Sequence, residues 1–208
     1  MDLAILHYTV LDDAASMERL CDPAAEVSCH WLVGRDGGVH ALVDEARRAW
    51  HAGRSRWGAL RDVNSRSVGI ELVNDGRTPF PEAQMASLER LLAGVMVRHP
   101  IPPERVLGHS DVAPGRKRDP GRLFDWPRLA ALGLAVRPPH APPADPSRLP
   151  AALDALGYDS EADAAARLDA FRLRFRPGAS GPADGTDAGI AIAAARLWPC
   201  VDRAGRGS

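Results

Sequence analysis

With 208 residues, the chain has room for one full catalytic domain and a small second unit. Its 26 basic and 27 acidic side chains leave a formal net charge of -1, which excludes the footprint of a nucleic-acid binder and a polybasic membrane surface. No apolar run reaches the ~18 residues of a membrane helix, and the scattered Cys21, Cys29 and Cys200 form neither a CxxC pair nor a disulfide framework.

Met1-Asp2-Leu3 enters a strand at once, with no room for a signal peptide, so the chain as written is expected in the cytoplasm. The apolar run Leu3 to Tyr8 reads as a buried strand carrying His7 near its end. A short helix is expected over Asp13 to Leu20 and a strand over Val27 to Val33. The turn Arg35-Asp36-Gly37-Gly38 then leads into a strand over Val39 to Val43. Ser67 to Val73 is a further strand. Pro81 to His99 is the strongest helix, with Met85, Leu88, Leu91, Leu92, Val95 and Met96 on a 3.6-residue period. Val106 to His109 is a strand ending in a second histidine, and a helix is expected over Leu123 to Leu132. Interleaved strands and helices predict an α/β (α+β) fold with a central mixed sheet flanked by helices.

Composition changes at Val136. Pro138, Pro139, Pro142, Pro143 and Pro146 mark residues 136–148 as a semi-rigid linker, dividing a domain over residues 1–135 from a small unit over 149–200. That unit should hold three helices, Pro150 to Leu156, Ser160 to Phe175 and Thr186 to Leu197, with Ser160 and Asp163 as a capping box.

His7 and His109 at two strand ends, with Asp119 in the Gly- and Pro-rich loop beyond, have the ligand count of a catalytic zinc site with one position open. A lone histidine is more often hydrogen-bonded than a ligand, so spacing alone leaves both readings open. Glu71 is the sharper anomaly. Alternation puts Val68, Ile70 and Leu72 on one face of its strand and Gly69, Glu71 and Val73 on the other. A buried carboxylate there needs a partner or a polar cavity, and Gly69 leaves space for something to approach.

Five segments carry a resemblance. They are His7-Tyr8-Thr9, Val27 to Val33, Arg48-Ala49-Trp50-His51-Ala52-Gly53, Ser67 to Leu72, and Gly108-His109-Ser110-Asp111 through Lys117-Arg118-Asp119-Pro120-Gly121. Together they resemble the type-2 N-acetylmuramoyl-L-alanine amidases. The tail, with Leu156-Gly157-Tyr158, Ala170-Phe171, Phe175-Arg176-Pro177-Gly178 and Gly185-Thr186, is similar to the three-helix peptidoglycan-binding domain. The resemblance implies zinc (Zn2+) on His7, His109 and Asp119, with Glu71 as general base and Lys117 as the cation near the reacting carbonyl. The partner implied is peptidoglycan or a muropeptide, cut by a monomer at the bond between N-acetylmuramic acid and L-alanine. His51, Trp50 and Asn64 are placed at the substrate cleft, with a loop-bracing role for His51 and Asn64 held open. Trp57 and Trp126 are read as core, and His30 as a core or supporting residue. The alternative is a non-catalytic peptidoglycan-recognition protein on the same fold. The wall-binding tail also favours contact with the sacculus, against the cytoplasmic expectation.

Overall fold

The computed structural model describes residues 1–200. Five strands form one mixed sheet: β1 (Leu3–Tyr8), β2 (Trp31–Val33), β3 (Val39–Ala41), β4 (Ser67–Leu72) and β5 (Val106–Gly108), in the order β3-β2-β4-β1-β5. β2, β4, β1 and β5 run parallel, and only β3 pairs antiparallel, at one edge. The helices are α1 (Asp13–Cys21), α2 (Glu82–Arg98), α3 (His109–Val112), α4 (Trp126–Ala131), α5 (Leu149–Leu156), α6 (Ala164–Phe175) and α7 (Gly185–Leu197).

Leu3 to Leu6 can be continuously apolar because both faces of β1 are covered. Ala4 and Leu6, with Val68, Ile70 and Leu72 of β4, pack against Met85, Leu88, Leu92 and Val95 of α2. This is the face that alternation assigned to the core. On the other face Leu3, Ile5 and Leu107 join a second cluster with Leu149, Leu153, Phe171 and Ala191 from the three C-terminal helices. Trp57 and Trp126 are buried, as expected.

Several boundaries differ from the sequence reading. β2 is confined to Trp31–Val33 because Pro23–Ala25 forms a 3-10 turn and Glu26 turns left-handed, at φ 51°. β3 stops at Ala41 rather than Val43. α4 starts at Trp126, where the Asp125 side chain accepts from the Arg128 N–H and Pro127 suits the first turn. α6 is capped by Asp163 rather than Ser160, so the Ser160 capping box does not form; the box in the tail is Asp184 with Asp187. His109 ends no strand. It opens α3, a helix the periodicity is too short to reveal.

The Pro-rich segment is not a free spacer. The Ala144 N–H donates to the Gly185 carbonyl at 2.8 Å. A Cβ on Gly189 of α7 would lie 2.2 Å from the Pro142 carbonyl oxygen, so only glycine admits this approach. The three helices share a core with the sheet instead of enclosing one of their own. A polar clasp reinforces it. Asp111 of α3, fully buried, accepts from the Tyr158 hydroxyl at 2.7 Å and from the Gly108 N–H at 2.8 Å, and pairs with Arg174 of α6 at 3.2 Å.

Two outcomes follow from this packing. A chain ending at Arg148 would expose Leu3, Ile5 and Leu107 and should lose its cooperative thermal transition; a sharp melt at the full-length temperature would show that the clusters are independent. Tyr158→Phe leaves an Asp111 oxygen without its buried donor and should cost about 1–3 kcal/mol in urea titration.

Candidate metal centre and cleft

The parallel register delivers the site. β1 and β4 pair His7 with Glu71, and β5 ends one residue before His109, so all three side chains gather at the carboxyl ends of adjacent strands. Ligand sites in open α/β sheets form at that edge. Asp119 returns to the same corner at the end of the 113–119 loop, where its carbonyl accepts from the Ser110 N–H at 2.9 Å. Gly108 permits the return, since a Cβ there would meet Pro120 Cδ at 2.7 Å.

His7 Nδ1, His109 Nδ1 and Asp119 Oδ2 form a tight triangle with edges of 2.9, 3.1 and 2.9 Å. All three residues are buried, and the group could hold a metal ion. The protonation pattern fits a cation. His109 Nε2 lies 3.1 Å from the Ala52 carbonyl oxygen, an acceptor, and 3.3 Å from the Arg116 guanidinium, a donor. Arg116 donates to the same carbonyl and to that of Arg54. Burial first, and the neighbouring His109 second, push His7 down to about 4, so its ring is neutral near pH 7. Neutral imidazoles and a carboxylate are the ionisation states that metal ligation requires.

Glu71 Oε1 lies 3.9 Å from His7 Nδ1, while Oε2 is buried without a hydrogen-bond partner. Burial first, then the charge of Asp119, push this carboxyl up to about 8, against the opposing pull of Lys117. Glu71 and Lys117 both face a cleft of roughly 480 Å3, whose rim includes Arg19 of α1, Arg116 and Arg118. Neither Arg19 nor Arg116 is among the expected site residues; the basic run Arg116-Lys117-Arg118 is the one local signal for the second.

The remaining expected residues separate. His51 is buried and reaches the cleft wall. Asn64 is buried and braces the loop: its Oδ1 accepts from the His51 N–H at 3.1 Å and the Ala52 N–H at 2.8 Å. Trp50 is 57 % exposed under the Arg48 guanidinium and lines an adjoining groove that shares Leu20 and Val27 with the cleft. His30 is fully buried and supports the sheet, its Nδ1 accepting from the Gly69 N–H at 2.9 Å and its Nε2 donating to the Arg47 carbonyl at 3.0 Å.

A buried triad of two imidazoles and a carboxylate, open to a cleft and flanked by a buried glutamate, could hold a metal ion and has the donor set of a hydrolytic site. Residues 1–122 match the family described as N-acetylmuramoyl-L-alanine amidase, and the chain belongs to it. It is 37 % identical to the N-acetylmuramoyl-L-alanine amidase AmiD of Escherichia coli, over 83 % of this chain and 74 % of that protein. The 1,6-anhydro-N-acetylmuramyl-L-alanine amidase AmpD of Haemophilus influenzae is 42 % identical over 49 % of this chain and 56 % of its own length. Among solved structures, AmiD from E. coli in complex with anhydro-N-acetylmuramic acid-L-Ala-D-gamma-Glu-L-Lys superposes with a TM-score of 0.85 at 33 % identity, covering 95 % of this chain and 88 % of that one. AmpDh3 from Pseudomonas aeruginosa gives 0.81 at 30 % identity, over 94 % and 92 %. No helix among the described residues is long and apolar enough to cross a membrane.

If the triangle is the metal site, His109→Ala should abolish stoichiometric metal in the purified protein while Glu71→Gln keeps it. Elemental analysis of the two variants side by side checks this, and metal retained by His109→Ala would remove the assignment.

Proposed function

We propose that the chain is a zinc amidase that hydrolyses the bond between N-acetylmuramic acid, intact or 1,6-anhydro, and L-alanine, in peptidoglycan or in released muropeptides. The amidase activity rests on family membership and on relatives at 37–42 % identity. The AmiD and AmpDh3 complexes, with anhydro-N-acetylmuramic acid-L-Ala-D-gamma-Glu-L-Lys and anhydromuramic pentapeptide, support the substrate class. His7, His109 and Asp119 would hold the zinc, and a zinc ion bound there supplies a Lewis acid for the amide carbonyl and for water.

The observation that carries the mechanism is Glu71 Oε2, buried and unpartnered beside the triad. A carboxylate oxygen so placed can accept a proton from an attacking water and return it to the departing alanine nitrogen. Lys117 stands on the cleft and can offset the negative charge that grows on the carbonyl oxygen. Arg19 gives the rim positive charge that suits a carboxylate of a stem peptide. A binding-only protein would have no use for a desolvated glutamate beside a complete ligand set. Residues 149–200 are proposed to hold peptidoglycan, on their resemblance to wall-binding helices.

Mass spectrometry of products from sacculi and from anhydro-muropeptides should show free L-alanine amino termini and intact muramic acid; cleavage elsewhere in the stem would refute the assignment. Glu71→Gln should lower turnover by about 10²- to 10⁴-fold with zinc retained. The pH dependence has a definite sign. Glu71 works as a base only when ionised, and a cation in the triad favours the carboxylate, so kcat/KM should rise with pH with a midpoint below 8. That limb should vanish in Glu71→Gln, and its persistence there would assign it to another group.

A further inference from the structure

His51 lies between the metal triangle and the sheet, and the hydrogen bonds around it leave one consistent arrangement of protons. Ser67 Oγ is 2.6 Å from the Val63 carbonyl oxygen, which can only accept, so the single hydroxyl proton points there. The hydroxyl oxygen is then an acceptor for the ring nitrogen 3.3 Å away, His51 Nε2, which must carry a proton. In a neutral ring this makes His51 Nδ1 an acceptor. Its neighbour at 3.0 Å is His7 Nε2, which therefore donates. With its proton on Nε2, His7 presents an unprotonated Nδ1 to the triangle shared with His109 and Asp119.

The backbone is shaped for this chain of bonds. A Cβ on Gly69 would lie 2.4 Å from His51 Cγ, so the ring rests directly on the strand at the one residue without a side chain. Asn64 holds the His51 N–H from the opposite side. The ring is buried, with 5 % of its residue surface exposed, so water does not compete for Nδ1.

We propose that His51 is a positioning residue that, through the Val63 carbonyl and the Ser67 hydroxyl, fixes the tautomer of His7 and thereby sets the metal affinity of the site. This rests on the reading that His7, His109 and Asp119 hold zinc. A metal-ligating histidine commonly donates its second ring N–H to a carboxylate, carbonyl or water. Here a second histidine takes that place, and its own orientation is dictated by a serine that has already given its proton away. His109 meets the Ala52 carbonyl and the Arg116 guanidinium instead, so the two imidazoles have separate neighbours.

The test measures zinc dissociation constants by chelator competition, and the visible spectrum of the cobalt-substituted protein, in the full chain. His51→Leu removes the acceptor at similar volume and should weaken zinc binding by about 10- to 100-fold, with an altered cobalt spectrum. His51→Asn places Oδ1 where Nδ1 was and should keep affinity within about threefold, because the acceptor is restored. Ser67→Ala removes the hydroxyl acceptor but keeps the Ser67 backbone acceptor beside the ring, and should weaken binding by a smaller factor than His51→Leu. His51→Leu, or Ser67→Ala should His51→Leu fail to fold, binding zinc as tightly as the unaltered protein would overturn the proposal. His51→Asn no better than His51→Leu would do the same, since packing rather than hydrogen bonding would then be the cause. An unaltered protein that binds no zinc, or a His109→Ala variant that still binds it, would instead defeat the underlying metal assignment.

Discussion

Three hydrogen-bond acceptors meet in a corner of the protein from which water is largely excluded. Two imidazole lone pairs and a carboxylate oxygen at 2.9–3.1 Å repel one another, and their burial weakens the screening that would let them coexist. A cation relieves this repulsion, and the surrounding polypeptide is organised to keep the acceptors in place for one. The Ala52 carbonyl holds the far nitrogen of His109, and the His51 ring holds that of His7. Both supports come from consecutive residues of one loop, which Asn64 ties down by two backbone N–H groups. That explains why Trp50-His51-Ala52-Gly53 behaves as a motif although none of its side chains belongs to the triangle.

The same corner is tied to the far end of the chain. Asp111 sits two residues after His109 and is held by Tyr158 and Arg174 from the C-terminal helices. Arg118, next to Asp119, pairs with Asp169 of α6 at 2.6 Å, and a Cβ on Gly115 would lie 2.9 Å from the Ala166 side chain. The loop that carries His109, Lys117 and Asp119 therefore runs along α6. The buried Asp111–Arg174 pair contributes little net stability, yet breaking it leaves an uncompensated charge, so it specifies an arrangement more than it strengthens one. What it specifies here is the orientation of α3, at whose first residue His109 stands.

Much of this was legible from residue patterns, and the rest was hidden for identifiable reasons. Alternation along β4 separated Val68, Ile70 and Leu72 from Gly69 and Glu71, and the sheet puts the first set against α2 and Glu71 at the cleft. The period of α2 was readable because a 17-residue helix repeats its pattern several times. α3 spans only four residues, too few to repeat, so the sequence shows at His109 only the end of the apolar run before it. The burial of Asp111 has no local signature, because its partners Tyr158 and Arg174 lie 47 and 63 positions away. The prolines of 136–148 point to a semi-rigid segment, but that composition says nothing about whether the segment lies against a neighbour, and Pro146–Arg148 forms a 3-10 turn. Gly185 and Gly189, spaced by one helical turn on α7, were the local trace of that contact.

Gly69 shows how a single residue can be read in part and still mislead about distance. Its missing side chain, next to an isolated glutamate in an apolar strand, indicated that something approaches the sheet there. The approaching group is His51, brought by a loop 18 positions earlier in the chain, and not a substrate. Its ring covers the strand between the core around Ile5 and the metal corner at His7, whose register partners are Gly69 and Glu71. One face of the sheet thus passes, two residues at a time, from an apolar core through a neutral imidazole to the His7 corner and a buried acid. The order matters electrostatically. The apolar end excludes water from His51, burial and the neighbouring His109 keep His7 neutral, and a desolvated Glu71 keeps its proton affinity high enough to act as a base.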